Sequence, residues 1–154
     1  MDHLILHRRL AADLSTAMIY ALLRLRVEVF IVEQRCPYQD LDGHDLDQTT
    51  RHYWLAPYGA IENAQATLRL LEPIEGQFRI GRVCAARPAR AQGGVRRLLE
   101  AALAEVGDAP CLLDAQTDSV ALYTQFGFVV YGEEFMEDGI AHVLMRRTGS
   151  ARAR

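Results

Sequence analysis

Apolar residues recur at every third or fourth position in two long stretches of the chain, which is the spacing of helices that pack one face on a core. The first stretch covers residues 14–29, and either Asp13 or Ser15 before it can cap a helix. The second stretch covers residues 92–106 and stops at Gly107. We therefore predict two helices that each bury one face.

Segments rich in apolar and β-branched residues indicate strands around these helices. Three of them are predicted to form an antiparallel meander, and three shorter ones follow the second helix. In chain order the predicted strands cover residues 52–56, 64–71, 78–85, 111–115, 128–131 and 142–145. Residues 27–34 either end the first helix or begin an extended stretch, and residues 119–126 are predicted to form a short helix. This mixture of helices and strands places the chain in the α/β class, with α and β elements mixed (α+β).

The size and charge of the chain narrow the classes of function. Its 154 residues suit one domain, predicted over residues 1–147, and a tail, 148–154, that is predicted to be disordered. The net charge of −3 gives no support to a nucleic-acid partner. Five arginines nonetheless cluster between residues 82 and 97. Such a local basic patch suits a small anionic ligand.

The cysteine pattern and the hydropathy pattern indicate a cytoplasmic protein without a metal cofactor. Cys36, Cys84 and Cys111 lie far apart, lack the spacing of zinc ligands and are predicted to be reduced thiols. No basic region followed by a long apolar stretch begins the sequence, so no signal peptide is predicted. No apolar run approaches the roughly 20 residues that a membrane span needs, and no membrane partner is predicted.

The segment before the second long helix has the composition of an anion-binding turn. Gly93 and Gly94 lie where a strand gives way to the start of a helix, and glycine lets a ligand approach the backbone closely. The first amides of a helix have no partner within it, and the helix dipole favours an anion there. Arg90 and Arg96 would add charge-assisted hydrogen bonds. A pyrophosphate site and an ordinary helix cap with a solvated basic face both fit these residues.

This turn resembles the acetyl-CoA motif of the GNAT N-acetyltransferases, Arg/Gln-x-x-Gly-x-Gly/Ala followed by a helix. Arg90 and Gly93 match the motif, whereas Val95 stands at its final small position and Ala91 stands where glycine is common. The resemblance implies acetyl-CoA as a cosubstrate. It also implies that the preceding strand bulges, with Gly81 as a candidate position, so that its amides contact the thioester and the pantetheine arm. The implied cofactor-binding residues are Val83, Cys84, Ala85, Arg90, Ala91, Gln92, Gly93, Gly94, Val95, Arg96 and Tyr123.

Tyr123 is the residue that the sequence most clearly offers as a catalytic acid. The stretch that contains it ends in Gly127-Phe128 and resembles the GNAT pattern Ala-x-x-Tyr-x-x-x-Gly-Phe. In that superfamily the tyrosine lies near the cofactor sulfur, where a phenol can protonate the departing thiolate. The alternative is a half-buried tyrosine that packs on the sheet. Cys84 suggests a nucleophile, but a free cysteine is commonly a small buried residue, which is the interpretation we prefer.

Two further segments resemble the ElaA-like branch of the superfamily. They cover residues 24–45, with a loop rich in Pro, Gly and Asp, and residues 132–143. By this resemblance both segments flank the acceptor pocket, and Glu33 and His142 are predicted to be catalytic residues that act on the substrate. The acidic and histidine side chains supplied are Glu33, Asp42, His44, Asp45, Glu134, Asp138 and His142. The proton of the amine would pass to His44 or His142, whose ordinary pKa suits that work, or to a carboxylate through water.

Two positions depart from simple expectations. The glutamate that many GNAT enzymes carry on the strand before the turn is Arg82 here, so that base is missing. Asp42, His44, Asp45 and His52 together suggest a metal site, but loops rich in Asp and His are usually solvated. No metal is predicted.

The resemblance spans nearly the whole chain and implies an architecture as well as a reaction. It implies a mixed, mainly antiparallel sheet with helices on both faces and two strands that splay near Ala85 and Cys111 to admit the pantetheine arm. The reaction would transfer acetyl from acetyl-CoA to a primary amine of a small molecule or peptide by direct attack. Homodimers are common in the superfamily and are one expectation. A non-catalytic acyl-CoA-binding or interaction module of the same fold, and an enzyme that uses another acyl-CoA, are the alternatives.

Overall fold

The fold is built around one eight-stranded sheet, seen in a computed structural model that describes residues 3–149. The strands are β1 (Leu4–Leu10), β2 (Arg51–Pro57), β3 (Ala66–Ile74), β4 (Gln77–Ala85), β5 (Cys111–Gln116), β6 (Val129–Val130), β7 (Phe135–Glu137) and β8 (Ile140–Arg147). The α-helices are α1 (Thr16–Arg26), α2 (Arg87–Arg90), α3 (Gly94–Val106) and α4 (Val120–Thr124). β1 to β4 form an antiparallel meander, β5 is parallel to β4, and β8 pairs antiparallel with β5, β6 and β7. The predicted mixed, mainly antiparallel sheet is confirmed.

The first long helix begins at a serine cap. The backbone amide of Met18 donates to the Ser15 hydroxyl at 3.1 Å, so Ser15 rather than Asp13 is the capping residue. After α1 the chain continues as a π-helical segment, Val27–Glu33. Residues 27–34 therefore end the helix instead of beginning a strand. Such wide turns are often found at functional sites.

Two helices cover opposite faces of the sheet because successive side chains of a strand point to opposite sides. Tyr53 and Leu55 of β2 pack in the larger core, which the apolar face of α3 completes. Trp54 and Ala56 pack instead with Leu22 of α1 in a second cluster. The prediction of helices on both faces is confirmed, and the sheet separates two apolar layers.

β4 carries a bulge that distorts the sheet beside β3. Between the two register pairs that flank the irregularity, β4 has one residue more than β3, and the extra length falls at Arg82 and Val83. Arg82 takes a left-handed conformation with φ of 51°. Gly81, which we expected to hold the bulge, has no positive φ. The bulge is therefore present one residue later than predicted and on a residue with a side chain.

β4 and β5 separate soon after they meet. Their pairing is limited to Phe78 with Cys111 and Arg79 with Leu112, after which β4 continues to Ala85 without a β5 partner. The predicted splay is therefore present, but the sheet opens after Cys111 and not at it. Since no β5 residue pairs with the β4 residues 81–84, their backbone polar groups on that side can contact a ligand.

Several elements differ from the sequence prediction. β1 and β7 were not predicted, and α3 begins at Gly94 instead of residue 92. β1 lies at the edge of the sheet beside β2 and is half-buried along most of its length, and its sequence, LILHRRL, does not alternate between apolar and polar residues. Of the predicted tail, residues 150–154 lie outside the described residues.

Candidate active site

The separated strands open onto a cavity of about 690 Å³. Its walls include Arg69, Asp114 and His142, which alternate along their strands with residues of the α3 core. The cavity therefore lies mainly on the sheet face opposite α3. Val83 lies in the bulge of β4, Tyr123 belongs to the helix after β5, and both line this cavity. Residues from both sides of the splay thus meet at one space.

Of the three β4 residues predicted to bind the cofactor, Val83 lines the cavity. Ala85 is buried in the α3 core, and Cys84 is buried against Leu25 and Val29 on the other face. Burial raises the pKa of the Cys84 thiol to about 12, which keeps it protonated and makes it a poor nucleophile. A contact between Cys84 or Ala85 and a ligand would therefore be made by backbone atoms.

The turn before α3 fits an anionic ligand. Gly93 has φ of 69°, and a Cβ atom placed there would have no neighbour within 4 Å, so the backbone is open on that side. Ala91 and Gln92 are exposed on the same turn. The first amides of α3 have no acceptor within the helix, and an incoming phosphate oxygen can accept from them. The residues present are compatible with the pyrophosphate of a CoA thioester at this turn.

Gly94 and Val95 serve packing within the same turn. A Cβ atom on Gly94 would lie 3.0 Å from the carbonyl oxygen of Ala89 and 3.4 Å from Cδ1 of Leu55. Val95 is half-buried and packs on the α3 core. The valine at the last motif position is therefore part of the apolar layer that holds α3 on the sheet.

Gly94→Ala is expected to lower the free energy of unfolding by roughly 1–3 kcal/mol, because the added methyl group overpacks a tight contact. The added methyl group should also displace the backbone of the turn, and this displacement should weaken acetyl-CoA binding. Thermal unfolding and calorimetric titration would measure the two effects. Gly81→Ala is the matched control, since Gly81 has no positive φ and a Cβ atom added to it would have no neighbour within 4 Å. Equal melting temperatures for the two variants would contradict this packing role.

Glu33 and Arg90, both predicted site residues, bind each other. The two terminal nitrogens of Arg90 donate to the two carboxylate oxygens of Glu33 at 2.7 Å each, and Nε of Arg90 donates to the carbonyl of Ala85 at 2.8 Å. The hydrogen bonds from Arg90 lower the pKa of Glu33. The pair connects the π-helical segment to the glycine turn. The catalytic role of Glu33 and the phosphate contact of Arg90 stay predictions.

The remaining arginines of the basic cluster point in different directions. Arg96 donates to Gln125 and its guanidinium lies 5.4 Å from the centre of the Phe126 ring. Arg97 donates to a carbonyl of β1 at 2.9 Å, while Arg82 binds the loop on the other face of the sheet. Arg87 joins Arg90 at Glu33, with its Nε 3.9 Å from Oε2, and the other three arginines lie elsewhere, so the five do not form one patch. Arg96 lies in the first turn of α3. Its contact with a phosphate remains a prediction.

Tyr123 lines the cavity and is largely buried. The side chain is 8% exposed, and its ring meets Phe128 edge to face with 6.1 Å between ring centres. Burial raises the pKa of Tyr123 to about 12. The phenol therefore keeps its proton at neutral pH, which is the state that a general acid needs. This protonation state agrees with the predicted role of Tyr123 as a general acid, which remains a prediction.

His142 faces the same cavity from β8, opposite Gln116 of β5. Its Nδ1 lies 2.8 Å from the carbonyl oxygen of Ile140, and its ring stacks on Phe135 at 5.8 Å. A carbonyl oxygen only accepts, so Nδ1 carries the proton in this bond. In the neutral ring Nε2 then has a free lone pair and can accept a proton, as the predicted catalytic role requires.

The acidic residues of the loop are occupied by arginines and are not free to hold an acceptor. Asp42 accepts from Arg69 at 2.9 Å, and Asp45 accepts from Arg26 at 2.5 Å and from Arg69 at 3.2 Å. His44 pairs with a neighbouring aspartate and is exposed. Arginines thus neutralise Asp42 and Asp45, and the place of both residues beside the acceptor pocket stays a prediction.

These carboxylates belong to a partly buried Arg/Asp network, which consists of Arg26, Arg69, Arg82, Asp40, Asp42 and Asp45. Arg26 is 1% exposed and reaches both Asp40 and Asp45 from α1. Nε of Arg69 is the buried side-chain nitrogen or oxygen without a hydrogen-bond partner among residues 3–149. The network ties α1, the loop, β3 and the bulge together.

Sequence reasoning missed this network, although one pattern pointed to it. Arg26 follows Leu22 by four positions and precedes Val29 by three, so it occupies the apolar face of the first helix. An arginine at such a position is buried only if a carboxylate pairs with it. The aspartates lie in the loop that follows the helix, and they could have been predicted as partners of Arg26.

Two absences bear on the other expectations. In the described part of the chain, no three His, Cys, Asp or Glu side chains come together in a group able to hold a metal ion. No helix within residues 3–149 is long and apolar enough to cross a bilayer. Neither finding tests the predicted cytoplasmic location or the expected homodimer, which stay predictions.

The relatives of the chain identify its family. Residues 27–148 match the family model described as the acetyltransferase (GNAT) domain. Protein ElaA of Escherichia coli K12 is 38% identical over 146 residues, which cover 88% of this chain and 91% of ElaA. The chain therefore belongs to the GNAT acetyltransferase family, within its ElaA-like branch.

Two further comparisons agree with this assignment. A UPF0039 protein of Mycobacterium tuberculosis is 56% identical over 149 residues, covering 94% of each chain. The crystal structure of an acyl-CoA N-acyltransferase from Pseudomonas aeruginosa superposes with a TM-score of 0.87 at 43% identity, covering 95% of this chain and 100% of that one. The predicted family and the predicted fold are both confirmed.

Proposed function

We propose that this protein transfers acetyl from acetyl-CoA to a primary amine of a small molecule or peptide. Membership of the GNAT family makes it an acyltransferase, and the acetyl group and the amine are our proposal. The observation that carries the proposal is that Val83 and Tyr123 line one cavity where β4 and β5 separate. A thioester between the strands would meet backbone amides on one side and a proton donor on the other.

The proposed chemistry is a direct attack of the amine on the thioester. The nitrogen forms a bond to the carbonyl carbon while the carbon–sulfur bond breaks. Negative charge that develops on the carbonyl oxygen would be stabilised by the Val83 amide, an oxyanion-type contribution. The thiolate would take its proton from Tyr123, which later regains one from solvent. Holding both reactants in one cavity supplies the proximity on which such a transfer depends.

The amine must lose a proton before or during its attack, because a primary amine is protonated at neutral pH. His142 is our candidate for this step. Its Nδ1–H is fixed by the carbonyl of Ile140, which leaves Nε2 as the proton acceptor. Glu137 and Asp138 line the same cavity and have no ion-pair partner within residues 3–149. They are the carboxylates that could attract the ammonium group toward His142.

The cofactor part of the proposal is tested by calorimetric titration with acetyl-CoA, with adenosine diphosphate as the comparison ligand. Micromolar binding that depends on the pantetheine arm would support the proposal, because the arm is the part that the splayed strands would hold. No binding of acetyl-CoA up to millimolar concentration would refute it. Parallel titrations with propionyl-CoA and succinyl-CoA would separate an acetyltransferase from an enzyme that uses another acyl group.

A further inference from the structure

The bulge of β4 is held by a side chain as well as by its backbone. Arg82 supplies the left-handed residue of the bulge, with φ of 51°. A residue with a Cβ atom is strained there, and glycine is the usual choice at such a position. The chain places a glycine one residue earlier, at Gly81, and leaves the strained position to an arginine. Strain that persists at one residue points to contacts that hold it and to a use for it.

The contacts that hold Arg82 come from the loop before β2. Nε of Arg82 lies 2.8 Å from Oδ1 of Asp40, and Nη2 donates to the Asp40 carbonyl at 3.0 Å and to Oδ2 of Asp42 at 3.2 Å. The guanidinium also lies 5.4 Å from the centre of the Tyr38 ring. Two carboxylates, a carbonyl and an aromatic face therefore fix one side chain, and through it the backbone of the bulge.

The loop that receives Arg82 is itself anchored to the core. Asp40 is 3% exposed and also accepts from Nε of Arg26 at 2.9 Å and from the Tyr38 hydroxyl at 2.7 Å. Arg69 holds Asp42 through both carboxylate oxygens at 2.9 Å. An arginine paired with mobile groups would not fix the backbone. Asp40 cannot move without breaking its buried ion pair with Arg26, and Asp42 cannot move without breaking its two bonds to Arg69.

We infer that Arg82 is a positioning residue that locks the β4 bulge and thereby sets the backbone of Val83 against the acyl thioester. The inference rests on the proposed function, in which the Val83 amide stabilises the carbonyl oxygen. Arg82 does not itself contact the reacting atoms. It acts through the backbone of β4, while the aspartates of the Arg/Asp network hold its side chain in place.

The test compares Arg82→Ala with Arg82→Gly. Both variants lose the guanidinium, but only glycine adopts the left-handed conformation without strain, a difference worth about 5- to 30-fold in the conformational equilibrium. We expect kcat to fall in the order wild type, Arg82→Gly, Arg82→Ala, with the alanine variant about 5- to 30-fold below the glycine variant. Hydrogen exchange in peptides that cover residues 80–85 should rise in the same order. The Kd for adenosine diphosphate should not change.

Arg79→Ala is the matched control, because Arg79 lies on the same strand and lines the same cavity but binds Asp114 at 2.6 Å, away from the bulge. It should leave exchange at residues 80–85 unchanged. Equal kcat and equal exchange for Arg82→Ala and Arg82→Gly would overturn the inference, as would wild-type behaviour of both. If the wild type acetylates no amine, the proposed function fails, and the exchange order alone then decides whether Arg82 locks the bulge.

Discussion

Tyr123→Phe is expected to lower kcat by roughly tenfold or more while leaving the Kd for acetyl-CoA nearly unchanged. The substitution removes one hydroxyl group and keeps the ring, which packs on Phe128 and is 8% exposed. The hydroxyl contributes to the reaction only when the thiolate leaves, so the loss should fall on turnover. Steady-state kinetics with acetyl-CoA, together with calorimetric titration, would measure both quantities.

The pH dependence of the wild type follows from the protonation of the same phenol. A general acid is active in its protonated form, and activity is lost as pH rises through its pKa. Burial raises the pKa of Tyr123 to about 12. Activity should therefore show no decline from Tyr123 at any pH below about 11. An alkaline decline near neutrality that disappears in Tyr123→Phe would contradict this assignment.

Tyr58→Phe is the control for the loss of a tyrosine hydroxyl. Tyr58 is 87% exposed and lies outside the cavity walls, so its variant should keep both kcat and the Kd. Unchanged turnover in Tyr123→Phe would mean that the phenol packs on the sheet without acting on the thiolate. That was the alternative that the sequence left open for this residue.

Arg26→Ala is expected to lower the free energy of unfolding by roughly 3–5 kcal/mol, because it removes one of the two arginines that pair with each of two buried carboxylates. Arg26 is 1% exposed and binds Asp40 at 2.9 Å and Asp45 at 2.5 Å. Chemical denaturation near neutral pH would measure the loss. Arg24→Ala is the control on the same helix, since Arg24 forms an exposed pair with Glu28. Such a surface pair contributes about 0–1 kcal/mol.

At acidic pH, the free energies of unfolding of the wild type and of Arg26→Ala should differ less than at neutral pH. Burial alone raises the pKa of Asp45, but its hydrogen bonds and charge interactions with Arg26 and Arg69 outweigh burial and lower it. A lowered folded-state pKa contributes stability above the unfolded value of about 3.9, and that stability is lost as pH falls through the folded value. Arg26→Ala lacks one of the two arginines that stabilise ionised Asp45, so it has less of this stability to lose at low pH. A difference that widens below about pH 4 would contradict the network as the source of the stability.

The two long helices were predictable because their apolar positions recur at helical spacing and their ends carry Ser15 and Gly107. The meander followed from three strand-like segments separated by short turns. β1 could not be found in the same way, because Leu4-Ile5-Leu6 is followed by His7-Arg8-Arg9, which gives neither an alternating pattern nor a long apolar run. Its place in the sheet depends on pairing with β2, which a local pattern does not contain.

The sequence allowed us to predict which residues belong to the candidate site, but not which of them contact each other. The glycine turn and Tyr123 could be located from spacing and from the family resemblance. The pairing of Glu33 with Arg90 could not, because these residues are 57 positions apart and meet only when the π-helical segment packs beside the turn. Arg82 was noted as the residue that replaces a missing base, whereas its left-handed backbone and its contact with Asp40 depend on the folded loop.

The most direct test of the proposed function is a turnover assay in which purified protein, acetyl-CoA and a panel of primary amines are followed for free CoA thiol and for acetylated amine. The panel would contain polyamines, amino sugars, lysine and peptides with a free N-terminus. We predict at least one amine that is acetylated in equal amount to the CoA released, and a rate reduced roughly tenfold or more in Tyr123→Phe. Tight binding of acetyl-CoA with no acetylated product from any amine would contradict the proposed function and would favour a non-catalytic acyl-CoA-binding module.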